Sequence, residues 1–144
     1  MLVSQILRSK SDDAVVTSLP TMLVSEAAKV LSDKRIGTLV ISSDGKTPDG
    51  ILSERDIVRE LGRSGAGCLT RTVGDLMTSK PVTCGTEDRA DQILQTMTDG
   101  RFRHMPVLAD GVLIGLISLG DVVKARLTEL SMEKDALEGM IMGH

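Results

Sequence analysis

The chain has 144 residues, 26% of them charged, and a formal net charge of −3. That length holds one ordinary domain or two very small ones, and the acidic balance offers no basic field to nucleic acid. Phe102 is the sole aromatic residue, so the core must be aliphatic and a base-stacking platform is excluded.

Val3-Ser-Gln-Ile-Leu-Arg-Ser-Lys10 reads as a short amphipathic turn of helix. It is echoed by Val73-Gly-Asp-Leu-Met-Thr-Ser-Lys80, in which Val3, Ile6, Leu7, Ser9 and Lys10 find matches. A short strand follows at Val16-Thr17, with its twin at Val82-Thr83; the first copy carries the extra residues Ser11 to Ala14. Helical spacing then appears at Ala27, Ala28, Val30 and Leu31 and returns at Ile93, Leu94 and Met97. Ser25 before Glu26 and Thr86 before Glu87 read as the helix-start residues.

Each helical stretch leads into a hairpin pattern: Thr38-Leu-Val-Ile, Asp44-Gly45 and Gly50-Ile-Leu in the first copy, then Met105-Pro-Val-Leu-Ala, Asp110-Gly111 and Leu113-Ile-Gly-Leu-Ile in the second. Asp-Gly between apolar runs favours the positive φ angles of a tight turn. The spacing predicts a loop one residue shorter in the second copy. Each hairpin then runs into the same joint, Gly50-Ile-Leu-Ser-Glu-Arg-Asp56 and Gly115-Leu-Ile-Ser-Leu-Gly-Asp121, where a strand hands over to a helix. Unpaired N–H groups and partial positive charge make such a helix start a natural anion holder. The first of these helices is expected to stop near Leu61-Gly62, with Arg63-Ser-Gly-Ala-Gly67 as a linker, and the second to run from about Asp121 to about Met142. Val123, Leu130 and Leu137 form a stripe beyond the repeat's own needs, beside a second in which Lys134 sits between Leu127 and Ile141, and a partner subunit is its expected cover.

The fold expected is α+β, two β-α-β-β-α repeats at 1–66 and 67–144, packed as a pseudo-two-fold pair with an extended C-terminal helix. A unit of that size rarely buries enough apolar surface alone, so the halves should share one core. Paired repeats of this order, each ending in Gly-hydrophobic-x-Ser-x-x-Asp, resemble a tandem pair of CBS domains, the Bateman module, over about Val3 to Leu127. Phe102-Arg-His-Met-Pro-Val107 fits the same family pattern. The resemblance is to stand-alone prokaryotic pairs. It implies an adenosine-ligand sensor, with AMP foremost and ADP, ATP, NAD(H) or an S-adenosyl compound as alternatives, no metal requirement, a homodimer, and an unidentified protein target.

On that footing Asp56 and Asp121 can accept the two hydroxyls of a ribose, and Ser53 and Ser118 can offer hydroxyls to ribose or phosphate. Thr17 and Thr83 fall where the family lines its cleft. Adenine would lie between aliphatic side chains, near Met105 and Pro106, because a proline in a strand marks an edge where the ladder stops. Arg103 and His104 supply donors for phosphate, and Arg55 would serve the first site. Since the first copy has the uncharged Gly37-Thr38 in place of Arg103-His104, the site on Ser118 and Asp121 is expected to be the stronger phosphate binder. Simpler readings stand beside these: Ser-x-x-Asp is also a helix cap, and Arg103-His104 is also a solvated strand end.

Enzyme signatures are missing: no Gly-x-Ser-x-Gly, no phosphate-binding P-loop, no HExxH and no Gly-x-Gly-x-x-Gly. Of two histidines one is the terminal His144, and the two cysteines, Cys68 and Cys84, lack metal-ligand spacing. The eight methionines read as aliphatic gap fillers. No basic leader precedes an apolar segment and no apolar run approaches ~18 residues, which predicts a cytoplasmic protein without a membrane partner. The main alternative to a nucleotide sensor is a ligand-free scaffolding dimer using the long helix; a fragment of a catalytic subunit is the third reading.

Overall fold

The computed structural model of the protein describes residues 1–10 and 15–142; Ser11 to Ala14 and the terminal His144 lie outside them. The order is α1 (Val3–Ser9), β1 (Thr17–Ser18), α2 (Val24–Lys34), β2 (Thr38–Ile41), β3 (Gly50–Ser53) and α3 (Glu54–Ser64) in the first repeat. A 3₁₀ turn (Gly65–Thr70) leads to α4 (Val73–Leu76), β4 (Thr78–Ser79), β5 (Cys84–Gly85), α5 (Ala90–Gly100), β6 (His104–Ala109), β7 (Val112–Ser118) and α6 (Leu119–Ile141). The fold is α+β with two small sheets, ordered β1-β2-β3-β4 and β5-β6-β7. In each, the first strand pairs parallel to the second and the hairpin is antiparallel.

The motif serines and aspartates build side-chain caps at the starts of α3 and α6. Ser53 and Ser118 each accept the N–H of the aspartate three residues on, and each aspartate accepts the serine N–H in return. The other two long helices begin differently from expectation. α2 starts after Leu23 and α5 after Arg89, with no side-chain cap, so Ser25 lies inside its helix and Thr86 ahead of its own. Their first N–H groups go to a neighbouring backbone instead: Val24 donates to Arg71 O and Ala90 to Met1 O, both at 2.9 Å. The stitch is reciprocal, since Val73 donates to Met22 O and Val3 to Asp88 O.

That stitch brings each short leading helix to the wrong half of the chain. Val3 and Ile6 of α1 are buried among Ile93, Met97, Met105, Ile117 and Val122, all of the second repeat. Val73 of α4 is buried among Val24, Leu31, Leu39, Leu52 and Ile57, all of the first. The motif glycines make the seats. A Cβ on Gly115 would stand 2.8 Å from Leu7 Cδ2, and one on Gly50 would collide with Met77 and lie 2.9 Å from Thr78 O. The sequence repeats at 1–66 and 67–144 are therefore not the packing units; each core borrows its leading helix across the boundary.

The loops differ more than by one residue. Asp110 and Gly111 both take positive φ, 51° and 77°, and alone join β6 to β7. The first hairpin closes through residues 42–49, where Asp44 accepts the N–H groups of Lys46 and Thr47. α3 also runs through Gly62 to Ser64 and ends at Gly65, φ 75°, so the glycine-rich stretch is the last turn of a helix and the start of the next turn. Among the described residues no helix is long and apolar enough to cross a membrane.

Candidate functional site

The exchange of leading helices sets two clefts, each combining the capped helix start of one repeat with the segment leading into the first strand and the helix–strand corner of the other. The larger, a cavity of about 640 Å³, takes Ser53, Arg55 and Asp56 from the first repeat and Lys80, Val82, Arg101, Phe102, Arg103 and His104 from the second. The smaller, about 450 Å³, takes Leu116 and Ser118 from the second repeat and Lys10, Val16, Lys34, Ile36 and Thr38 from the first. His104 and Gly37 line both.

This corrects the expected pairing of Arg103 with Ser118 and Asp121. Arg103 lines the Ser53–Asp56 cleft, where Arg55, Arg59, Lys80 and Arg101 join it against Glu54 and Asp56. The larger cleft thus gathers more cations than the smaller, in a chain of net charge −3. Sequence reasoning gave the basic segment to the helix start of its own repeat, whereas the cleft takes it from the opposite one. It also missed Lys10 and Lys80, although their match was visible in the echo of the leading segments. Phe102 lines the larger cleft too, so an aromatic face is present where only aliphatic walls were expected. Arg101 sits at the left-handed end of α5, φ 56°, a backbone shape that glycine would hold more easily.

Five expected residues are not wall residues of either cleft: Asp121, which caps its helix and pairs with Lys10, and four that are placed elsewhere. Thr17 and Thr83 are exposed and line neither cleft; the valines one residue before them, Val16 and Val82, do. Met105 is buried in the core of the second repeat, and Pro106 is buried in the central strand of its sheet. Pro106 still interrupts a ladder, on one side only. In the first repeat Val40 N–H donates to Val16 O at 3.1 Å, and Val40 and Pro106 hold matching places opposite Ile51 and Leu116. Proline has no N–H to repeat that bond, so the β5–β6 pairing starts only at Cys84 and Val107. Val82 O, at the wall of the larger cleft, is spared the strand bond that occupies Val16 O.

The two carboxylates are in different company. Asp56 Oδ2 accepts the Ser53 N–H at 2.8 Å and its hydroxyl at 3.0 Å, while Arg59 stands 3.3 Å from Oδ1 with most of its side chain in water. Asp121 Oδ2 accepts the Ser118 N–H at 2.8 Å and the Lys10 ammonium at 2.9 Å. Partial burial pulls the Asp121 carboxyl up, but the Ser118 N–H and Lys10 outweigh it and hold it below its ordinary value. In both motifs capping and a second task can coexist, because one oxygen of each carboxylate does the capping.

A ring nitrogen of His104 lies 3.2 Å from Thr38 Oγ1, the matching residue of the other repeat, at the wall between the clefts. Burial above all lowers its pKa; Asp121 pulls the other way, while Lys10, Arg103 and Arg55 add to the lowering. His104 is therefore held toward its neutral form, in which one ring nitrogen carries an N–H that can donate. The unfolded chain takes this proton near pH 6.5 and the folded chain only below that, so the unfolded state binds more protons as pH falls through the window beneath 6.5. The urea midpoint should drop between pH 6.5 and 5, and less in His104→Gln. Equal pH profiles for the two proteins would show that the histidine is not held neutral.

Among the described residues no group of three His, Cys, Asp or Glu side chains is arranged to hold a metal ion. Burial, helped by Asp88, pushes the Cys84 thiol up to about 12, so it is no nucleophile.

Comparison with known proteins agrees with this architecture. The CBS domain family model matches the chain twice, at residues 3–63 and 73–128. A CBS domain-containing mitochondrial protein of Arabidopsis thaliana, CBSX3, is 33% identical over 148 residues, covering 98% of this chain and 72% of its own. The crystal structure of a CBS-domain containing protein from Agrobacterium tumefaciens is 41% identical and superposes with a TM-score of 0.81, covering 88% of this chain and 99% of its own. A CBS domain pair solved in complex with 5′-methylthioadenosine and S-adenosyl-L-methionine has the same fold, with a TM-score of 0.76 at 23% identity over 90% of this chain and 98% of its own. With two matched repeats interlocked across nearly its whole length, the chain belongs to the CBS-domain family as a tandem pair.

Proposed function

We propose that the protein is a regulatory module that binds an adenine nucleotide, AMP foremost, in the larger cleft and signals its presence by a change in the packing of its repeats or of a dimer. The observation that carries this reading is the convergence on one cavity of a capped helix start, Ser53–Asp56, with Arg101, Arg103 and Lys80 from the opposite repeat. A helix start with guanidinium groups facing it suits a phosphate. The carboxylate of Asp56 suits ribose hydroxyls, and Phe102 with Val82 suits a purine face. A related pair holds adenosine compounds, which supports the ligand class. ADP, ATP, NAD(H) and S-adenosyl compounds share the adenosine and are ranked against AMP by experiment. Catalysis forms no part of the proposal, since the polar groups of the cleft are caps and fixed cations suited to holding charge.

A homodimer in the cytoplasm belongs to the same proposal. Leu127, Leu137 and Ile141 on α6 are 63%, 59% and 83% exposed, a stripe that a second copy would cover. The two free, buried cysteines fit a reducing compartment. The expected results are a dimer by sedimentation at micromolar concentration and its weakening by truncation after Leu127. A monomer for the full chain would refute the dimer. The exposed stripe also favours the second reading, a ligand-free scaffold. A thermal-shift panel separates the two. A ligand at a hundredfold excess over its Kd adds about 2.7 kcal/mol to stability, a shift of several degrees. A dimer whose midpoint no adenosine compound moves would favour the scaffold.

A further inference from the structure

The two clefts carry matched lysines that are used differently. Lys10 ends α1 in extended backbone, φ −76°, and its ammonium donates to Asp121 Oδ2 at 2.9 Å and to Leu116 O at 2.8 Å. Lys80 follows β4, takes the left-handed φ of 51°, and gives its N–H to Asp49 O at 3.1 Å. Thr78 and Ser79 are tied to β3, whereas the matching residues of the first copy end a helix. Of these two lysines, only Lys10 is ion-paired with the motif carboxylate of the helix start at its cleft, Asp121, which touches the wall residues Lys10 and Ser118. The pair is only about a quarter exposed, 25% for Lys10 and 24% for Asp121, and Val16, Ile36 and Leu116 stand around the same cleft. Breaking it without a replacement strands two partly desolvated charges.

Building on the nucleotide reading above, we infer that Lys10 is the specificity-determining residue of the smaller cleft, admitting a nucleoside there only when it brings an anionic group to take over the lysine's ion pair. A neutral nucleoside whose ribose engages both carboxylate oxygens has to share Oδ2 with the ammonium and the Ser118 N–H, and it offers the ammonium nothing in return. A nucleoside monophosphate gives its ribose hydroxyls to Asp121 and its phosphate to Lys10, so one ion pair is exchanged for another. Lys34 lines the same cleft and adds a second cation. The larger cleft asks no such exchange, because Arg59, the partner of Asp56, is 63% exposed and well hydrated.

The test titrates the full chain with adenosine and with AMP, following the amide resonances of Ser53 and Ser118 as reporters of the two clefts, with calorimetry for stoichiometry. AMP should move both resonances and adenosine only that of Ser53. In Lys10→Met, adenosine should move Ser118 as well, and AMP should bind the smaller cleft roughly tenfold more weakly for loss of a charge-assisted contact. Lys10→Arg should keep the wild-type pattern. Should Lys10→Met fail to fold, the wild-type titration decides alone. Adenosine moving Ser118 as readily as Ser53 in the wild type would overturn the inference and leave the nucleotide reading standing. So would titrations unchanged in Lys10→Met. If neither ligand moves either resonance, the nucleotide reading falls and the inference with it.

Discussion

Truncating Ile6 to alanine is expected to destabilise the folded chain by about 2–5 kcal/mol, the usual cost of emptying a buried aliphatic site. Ile6 is 2% exposed and packs in a core whose other walls are Ile93, Met97, Met105, Ile117 and Val122. The loss therefore strikes the second repeat, although the substitution lies in the first. Urea denaturation measures the size, and amide exchange shows the place: protection should fall in β6 and β7 before β2 and β3. Val58→Ala supplies the control, because a side chain 66% exposed on α3 should cost the monomer no more than about 0.5 kcal/mol. The stronger form of the experiment expresses residues 67–144 alone. That fragment lacks Val3 and Ile6, should not unfold cooperatively, and should gain order when a peptide of residues 1–10 is added. A fragment that folds well without the peptide would show the borrowed helix to be dispensable.

Replacing Arg103 with alanine should weaken AMP binding about ten- to a hundredfold, the loss of roughly 1.5–3 kcal/mol from a charge-assisted contact. Adenosine binding should change little, because Arg103 lines the cavity of the Ser53–Asp56 helix start and its charge would act on phosphate and not on the neutral nucleoside. The four titrations, two proteins against two ligands, form a cycle that isolates the side chain's coupling to phosphate. Arg103 is exposed at the cleft wall, so part of the loss should fade with added salt, screened over about 8–10 Å at ordinary ionic strength. Binding should persist in the variant, since Arg101 and Lys80 line the same cavity. A coupling near zero would place Arg103 in the surface charge of the strand end. Asp121→Ala, by contrast, should spare the larger cleft, because that carboxylate belongs to the other helix start.

Short-range chemistry was readable in the chain. Asp110-Gly111 specifies its turn through two positive φ angles, the paired serines and aspartates specify their caps, and the length of α6 follows from a helical pattern that Lys134 interrupts without ending. What a pattern of apolar residues does not carry is the address of the surface it will bury. Val3 and Ile6 announce an amphipathic turn, yet nothing in their spacing distinguishes the first core from the second. The pairing of Arg103 with a cleft failed for the same reason, since it depended on which helix start faces which strand. The caps at Ser25 and Thr86 failed because backbone carbonyls of Met1 and Arg71 serve α5 and α2 from outside any local window. Pro106 was half legible: its missing N–H does stop a ladder, but in the middle of a sheet and on one side.

The exchange of leading helices imposes an order on biosynthesis. α1 leaves the ribosome ahead of both sheets, with Val3 and Ile6 facing partners as distant as Ile117 and Val122. At 5–20 residues per second, those partners emerge roughly 5–25 s later. During that interval the first repeat also waits, because Val73 and its helix have to appear before its own core can close. The nascent chain thus carries exposed apolar helices through most of its translation, a long-range closure that slows folding and invites capture by chaperones or by a neighbouring nascent copy. α1 is made ahead of the other elements of the pair and is among the last of them to be seated.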